Sequence, residues 1–269
     1  MKEIGVGVIE YITLATALCG VCWVVARRRR AQLAARAKKP LWVAWGAEMF
    51  GLLALILGGR VALADWPQVP SGSMEPTLRV GDYLLVDKLA YGPRLPFTNT
   101  AIKMGQPARG DVVVFRYPLD VSTFYVKRVT GLPGDVVDYD HGVVRVNGQP
   151  FNAHVDKAYP DVKPEDRGQM FVDETEGGRE HTIKLDVDDP GGHVPPQAWV
   201  TQWAQDCHVE SVQRWTCHVP AGHYLMMGDN RDNSADSRIF GFVDQREIYG
   251  KAVRVLVNFH QLSRAFTPL

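Results

Sequence analysis

Two long apolar runs open the chain, and short alternating segments fill most of the rest. Residues 4–26 hold one charge, Glu10, in 23 positions, and residues 41–64 hold only Glu48 and Arg60. As a helix the first run is about 34 Å long, enough for a hydrocarbon core of about 30 Å. The pattern therefore predicts two membrane-spanning helices. After residue 66 it changes. YLLVDK (83–88), DVVVFRY (111–117), FYVKRVT (124–130), DVVDY (135–139), HYLMM (223–227) and KAVRVLVNF (251–259) are β-branched or aromatic and bounded by turn residues, which predicts strands. VVRV followed by Asn147-Gly148 and QPF predicts a two-residue hairpin. No long amphipathic helical pattern appears. Residues 152–205 are rich in Asp, Glu, Gly and Pro and read as an excursion from the core, partly loop. The predicted organisation is an anchor over 1–66 and a mainly β domain over 67–269, with a variable excursion at about 150–220.

Charge adds an orientation. Thirty basic and thirty acidic residues cancel, so the chain as a whole is no electrostatic partner for nucleic acid. The balance is uneven along the sequence. Residues 1–65 carry nine Lys/Arg against four acids, a net of +5, which leaves −5 for the rest. Seven of those positive charges lie in RRRRAQLAARAKKP (27–40), between the two apolar runs. The positive-inside rule places that loop in the cytoplasm, and everything after residue 65 outside. Glu48 sits near the entry interface and Arg60 snorkels toward the exit. A cleaved secretory signal fits the first run poorly, because its charge follows the apolar stretch. The second run ends in Ala62-Leu63-Ala64-Asp65, which has the small-x-small form of a cleavage site. One copy cutting another after Ala64 is the reaction that form suggests.

The cysteines divide by compartment. Cys19 and Cys22 fall in the first apolar run and read as apolar helix residues. Cys207 and Cys217 fall in the outer part, where an oxidising environment favours a disulfide. Closing so short a loop contributes roughly 3 kcal/mol in the chain-entropy description. His208 and His218 follow the two cysteines, which keeps a zinc site as the sharper alternative.

Two features carry candidate chemistry. PSGSMEPTL (70–78) places two hydroxyls two residues apart in a Pro/Gly-bounded turn, a form that presents one oxygen to a cleft while backbone N–H groups face a developing oxyanion. A serine nucleophile needs a base. No G-x-S-x-G elbow is present, and no histidine stands in a triad context. Lys127 is the other candidate. In an alternating strand it shares a face with Tyr125 and Val129, and an apolar face lowers the pKa of an ammonium. Taken separately, a Ser-Gly-Ser turn and a strand lysine are ordinary structural features.

Taken together and in order, PSGSMEPTL, GDYLLVDK (81–88), YVKRVTGLPGD (125–135) and GDNRDNSADSRIFGFV (228–243) resemble the bacterial type I signal peptidase (leader peptidase) family. The resemblance runs from the two apolar runs to the C-terminal strands and is weak only across about 150–220. It implies a Ser/Lys endopeptidase of antiparallel β structure that cuts exported preproteins after signal peptides with small −1 and −3 residues, without metal or cofactor. Ser73 is then the nucleophile and Lys127 the general base. Ser71 supplies a hydroxyl to the oxyanion hole beside the Ser73 N–H. Ser234 holds the lysine amine, and Asp236 and Arg238 form a supporting ion pair. Val69, Met74 and Val126 line the substrate pocket, with Met74 touching both substrate and lipid. Glu75 takes no role from the resemblance.

The implied setting is a bacterial inner membrane, crossed twice, with the catalytic domain on the periplasmic side. Eight residues separate Asp65 from Ser73, at most about 28 Å when extended. Pro67 and Pro70 stiffen that tether, so the nucleophile stays near the bilayer face where an embedded signal peptide presents its cleavage site. Two rivals are a related Ser/Lys peptidase with a different or self substrate, and a non-catalytic membrane-tethered β scaffold. The first would carry a DNA-binding head in place of a membrane head. The second would lack one of Ser73, Lys127 or Ser234.

Overall fold

The computed structural model describes residues 6–32, 41–92, 105–155, 168–188 and 203–269. The chain divides into two units, Gly5–Asp65 and Trp66–Leu269.

The first unit consists of α1 (Val6–Gln32), α2 (Leu41–Ala62) and a two-residue strand β1 (Ala64–Asp65). Small residues let the helices approach. A carbon added at Gly46 would lie 2.8 Å from the Cys22 Cβ, and one at Gly20 would lie 3.1 Å from the Phe50 ring. Trp23 and Phe50 pack with ring centroids 5.7 Å apart. Leu14, Leu18, Val21, Leu52 and Leu55 instead point outward. Cys19 and Cys22 are free, half-buried helix residues. Side chains are described from 14 to 28 in α1 and from 41 to 59, without 57, in α2. Among the described residues, no helix is long and apolar enough to cross a membrane.

The second unit is built from strands. They are β2 (Asp82–Asp87), β3 (Val112–Tyr117), β4 (Asp120–Gly131), β5 (Val136–Asp140), β6 (Val143–Val146), β7 (Gln149–Pro150), β8 (Asn152–Val155), β9 (Gln169–Glu176), β10 (Arg179–Asp186), β11 (Cys207–Ser211), β12 (Arg214–His218), β13 (His223–Met227), β14 (Val243–Asp244) and β15 (Ile248–Asn258). Six of them lie side by side in the order β2-β15-β3-β4-β13-β14. A second sheet runs β11-β12-β5-β6-β7, and β10-β9-β8 form a third. Among the described residues, the strand pairings within this unit are antiparallel.

Each predicted strand appears within a few residues of its expected bounds. Period-two alternation explains this: β2 reads buried, half-buried, buried along its whole length, as a half-covered strand must. The Asn147-Gly148 turn forms with φ of 52° and 78°, the left-handed pair that a tight hairpin requires. The main and second sheets meet at Gly131, where an added carbon would lie 2.8 Å from Val219 and 2.9 Å from Leu225. Beside this contact, Tyr139 stacks on Trp215 with ring centroids 5.0 Å apart in a buried cluster that includes Val137 and Leu225.

The excursion is more ordered than its composition suggests. Within its described residues it forms the β9–β10 hairpin, turned at Gly177-Gly178, and the β11–β12 hairpin. Cys207 and Cys217 are partners in the β11–β12 register and are joined by a disulfide, as the oxidising side predicts. The remainder of the predicted excursion, 156–167 and 189–202, lies outside the described residues.

Candidate active site

The serine turn is held at the edge of the main sheet by backbone bonds. Val69 N–H donates to Asp82 O at 2.8 Å, and Gly81 N–H donates back to Val69 O at 3.0 Å. These bonds align residues 67–69 with β2 and leave 70–78 to turn outward. Glu75 N–H closes the turn on Gly72 O at 3.0 Å, and Leu78 N–H donates to Met74 O at 2.9 Å. Burial of Met74 and Leu78 in a cluster with Leu84, Val86 and Val126 seats the turn on the sheet.

β4 brings the lysine to it. The strand pairs with β3 over 120–128 and with β13 only over 128–131. Alternation sends Val126 toward the Val69–Met74 cluster, while Val129 joins a cluster with Phe115 and Tyr224 that Tyr125 borders. Lys127 shares the Tyr125–Val129 face, and its Nζ lies 5.5 Å from the centroid of the Tyr125 ring.

Ser73 Oγ and Lys127 Nζ are 2.6 Å apart. They are 54 positions apart in sequence and meet only because the turn and β4 converge. Lys127 is 3% exposed. That burial pushes its ammonium down to about 8, against the raising influence of Asp236 and Asp229. A serine hydroxyl beside an amine that loses its proton near pH 8 is the arrangement needed for proton abstraction.

The other predicted residues are placed around this pair. The Ser71 hydroxyl is 3.5 Å from Ser73 Oγ, at the limit of a hydrogen bond. Ser71, Ser73, Val69, Met74, Val126 and Lys127 all border one cleft of about 250 Å3. Met74 is 1% exposed and belongs to the core beneath that cleft. Its side chain has no outward surface to offer lipid, which corrects the expectation that it touches both. Asp236 and Arg238 form a fully buried ion pair at 2.8 Å, as expected. Asp236 also accepts from Gly228 N–H at 3.1 Å, and burial, which would raise its carboxyl, is outweighed by Arg238, which holds it low. Ser234 is 3% exposed, and its hydroxyl has no hydrogen-bond partner among the described residues. The expected bond from Ser234 to the lysine amine is therefore not made in this geometry. The hydroxyl instead lies against Gly228, 2.1 Å from where a Cβ would stand.

Residue-by-residue reading missed several groups. Arg128, the neighbour of Lys127, forms a buried ion pair with Asp229 at 2.6 Å. Asn230 donates from its side chain to Gly72 O at 3.0 Å and from its N–H to Ser73 O at 3.2 Å. Asn233 and Ala235 also border the cleft. The density of polar residues in GDNRDNSADSR was the available signal, since so many side chains need partners when buried. Charge spacing alone does not say which partners they take.

The family model and the sequence relatives agree on one family. The family model described as "Signal peptidase, peptidase S26" matches residues 42–257. The chain is 40% identical to "Signal peptidase I" of Pseudomonas aeruginosa over 235 residues, covering 82% of this chain and 75% of that protein. It is 38% identical to "Signal peptidase I" of Pseudomonas fluorescens over 243 residues, covering 86% and 78%. A crystal structure of a signal peptidase I from Enterococcus faecalis V583 aligns at 25% identity over 55% of this chain and 98% of that chain, with a TM-score of 0.31.

Proposed function

This chain belongs to the signal peptidase family, peptidase S26, and is a serine endopeptidase that cleaves signal peptides from preproteins; we propose that Ser73 and Lys127 are the dyad that does so. The observation that carries the assignment is the 2.6 Å approach of Lys127 Nζ to Ser73 Oγ.

The mechanism follows from that contact. Neutral Lys127 takes the Ser73 hydroxyl proton as Oγ attacks the scissile carbonyl. The Ser71 hydroxyl and the Ser73 N–H face the oxygen on which negative charge develops, and losing one such donor costs about 10²–10³ in rate. Protonated Lys127 then gives its proton to the leaving amine, which leaves an acyl-enzyme on Ser73. A water replaces the amine, Lys127 takes its proton, and collapse of the second intermediate returns the proton to Ser73 Oγ. Asp236 and Arg238 support the base from behind. Ser234 orients the amine if its unpartnered hydroxyl turns toward it during turnover.

The cleft suits an extended substrate. Residues 123–127 of β4 line it, and among the described residues β13 pairs with β4 only beyond them, which offers their second edge to a peptide backbone. Val69, Met74 and Val126 make shallow apolar walls that admit small −1 and −3 residues.

We read α1 and α2 as membrane spans joined by a basic cytoplasmic loop, in the inner membrane of a Gram-negative bacterium, with the dyad on the periplasmic side. Support comes from the one charge in 4–26, the seven positive charges in 27–40 and the outward apolar side chains of both helices. The test is cleavage of a preprotein bearing an A-x-A site by the full chain in detergent. Lys127→Ala and Ser73→Ala are each expected to abolish product without unfolding the chain. Full activity in either variant overturns the dyad.

A further inference from the structure

We propose that Lys184, on the β9–β10 hairpin, is a positioning residue for the nucleophile, acting through Glu75 and Asn230. The proposal rests on the reading of Ser73 as the nucleophile. It assigns a task to a segment whose composition marks it as an excursion from the core.

The serine turn has no regular strand pairing over 70–78 to fix it, so its position depends on individual contacts. Asn230 grips two consecutive carbonyls, Gly72 O and Ser73 O. Asn230 is itself aligned by Lys184. The two residues form a parallel bridge, and Lys184 N–H donates to Asp229 O at 2.8 Å. The Lys184 side chain then reaches the turn from the other direction. Its Nζ lies 3.6 Å from Glu75 Oε2, with the two side chains only 10% and 19% exposed. The Glu75 carboxylate packs on the turn it closes, so that a carbon added at Gly72 would lie 3.1–3.3 Å from it. One residue of the hairpin thus holds both sides of the Gly72–Ser73 peptide.

The hairpin is firm enough for this task. Arg231 pairs with Glu174 on β9 through two bonds of 2.5 and 3.2 Å, both residues being buried. Asp186 N–H donates to Asp232 Oδ2 at 2.6 Å. The hairpin and the GDNRDN segment therefore form one braced wall behind the nucleophile. A solvent-exposed ion pair would add little to stability. Here the relevant quantity is position, since a displacement of about 1 Å at a reacting atom costs up to about 10²-fold in rate.

The test uses the full chain in detergent, a preprotein with an A-x-A site, and the variants Lys184→Met, Glu75→Gln, their combination, and the charge swap Glu75→Lys with Lys184→Glu. Each single variant is expected to lower kcat about tenfold with KM changed less than twofold. The combination is expected to be no worse than either single change, and the swap to recover at least half of the lost activity. The swap restores attraction and keeps the test decisive if a single variant melts early. Single variants with the parent kcat, additive losses, or a swap without recovery would each overturn the proposal. Lys127→Ala in the same assay separates the two levels. Cleavage by that variant removes the dyad itself. Its inactivity beside a fully active Lys184→Met leaves the dyad standing and removes only the positioning role.

Discussion

Arg128 and Asp229 meet in a two-point ion pair, with Nε at 2.8 Å and Nη2 at 2.6 Å from the two carboxylate oxygens, one residue along β4 from Lys127. The Thr77 hydroxyl donates to the same carboxylate at 2.5 Å, and Arg128 Nη1 donates to Gly110 O at 2.9 Å. The base strand, the serine turn and the GDN segment thus converge on one buried carboxylate. Asp229→Ala leaves a buried guanidinium without its counter-charge, and the expected loss is about 3–5 kcal/mol. Replacing both partners, as in Arg128→Met with Asp229→Leu, removes the uncompensated charge and is expected to cost less than the single change. Thermal midpoints of the two variants check this, and an Asp229→Ala chain as stable as the parent would contradict it.

Activity is expected to follow the titration of Lys127. Burial lowers its ammonium to about 8, and only the neutral amine accepts a proton from Ser73. The expected kcat/KM rises tenfold per pH unit below about 8 and levels above it. A profile flat from pH 6 to 10 would remove Lys127 as the base. The same shift has a consequence for stability, which also rises with pH, between about 8 and 10.5. The folded value lies below the ordinary 10.5, so the folded state holds fewer protons between about 8 and 10.5, and below about 8 it bears the full cost of a buried ammonium. Lys127→Met is therefore expected to be inactive yet about 3 kcal/mol more stable than the parent at pH 7.

Gly228 has no room for a side chain. A Cβ there would lie 2.1 Å from Ser234 Oγ and 2.4 Å from Ser73 O, and Gly228 N–H is held by Asp236 from behind. The carbonyl it would strike belongs to the nucleophile. Gly228→Ala is expected to displace Ser73 and lower kcat by about 10²-fold. A variant with the parent kcat would show that the serine turn moves freely, contrary to its bonds with Asn230.

Much of the fold was legible because its signals are local. Strand alternation at 83–88 or 223–227 needs no distant partner to be read, and Asn147-Gly148 specifies its own turn. The dyad was legible only through a constellation of segments, since Ser73 and Lys127 separately are a turn serine and a strand lysine. The β9–β10 hairpin was missed although Gly177-Gly178 marks its turn. Its sequence, QMFVDETEGGREHTIKLD, reads as solvated because Glu174, Glu176 and His181 are ionisable. The structure buries all three, with Arg231 answering Glu174. Such long-range pairing leaves no periodic trace in the sequence.

That buried group predicts an unusual pH dependence of stability. Glu176 is fully buried, and neither carboxyl oxygen has a hydrogen-bond partner among the described residues. Burial pushes it up to about 8, helped by Glu174 and Asp229 and opposed by Arg128 and Arg231. His181 Nε2 lies 3.9 Å from its Oε2, and burial pushes that imidazole down to about 3, with Arg128 adding to the effect. The signs oppose. Between the ordinary carboxyl value of 4.5 and about 8, the folded state holds a proton on Glu176 that the unfolded chain has lost, so stability falls as pH rises. Between about 3 and 6.5, the unfolded chain holds a proton on His181 that the folded state lacks, so stability rises with pH. The two cancel in their overlap, and from about 6.5 to 8 the Glu176 contribution stands alone at about 1.4 kcal/mol per pH unit. Glu176→Gln keeps the shape and removes the proton. Its thermal midpoint is expected to match the parent's near pH 5 and to exceed it increasingly up to pH 8. A midpoint difference that does not change between pH 6.5 and 8 would mean that Glu176 is ionised in the folded chain, with a counter-charge other than the arginines that surround it.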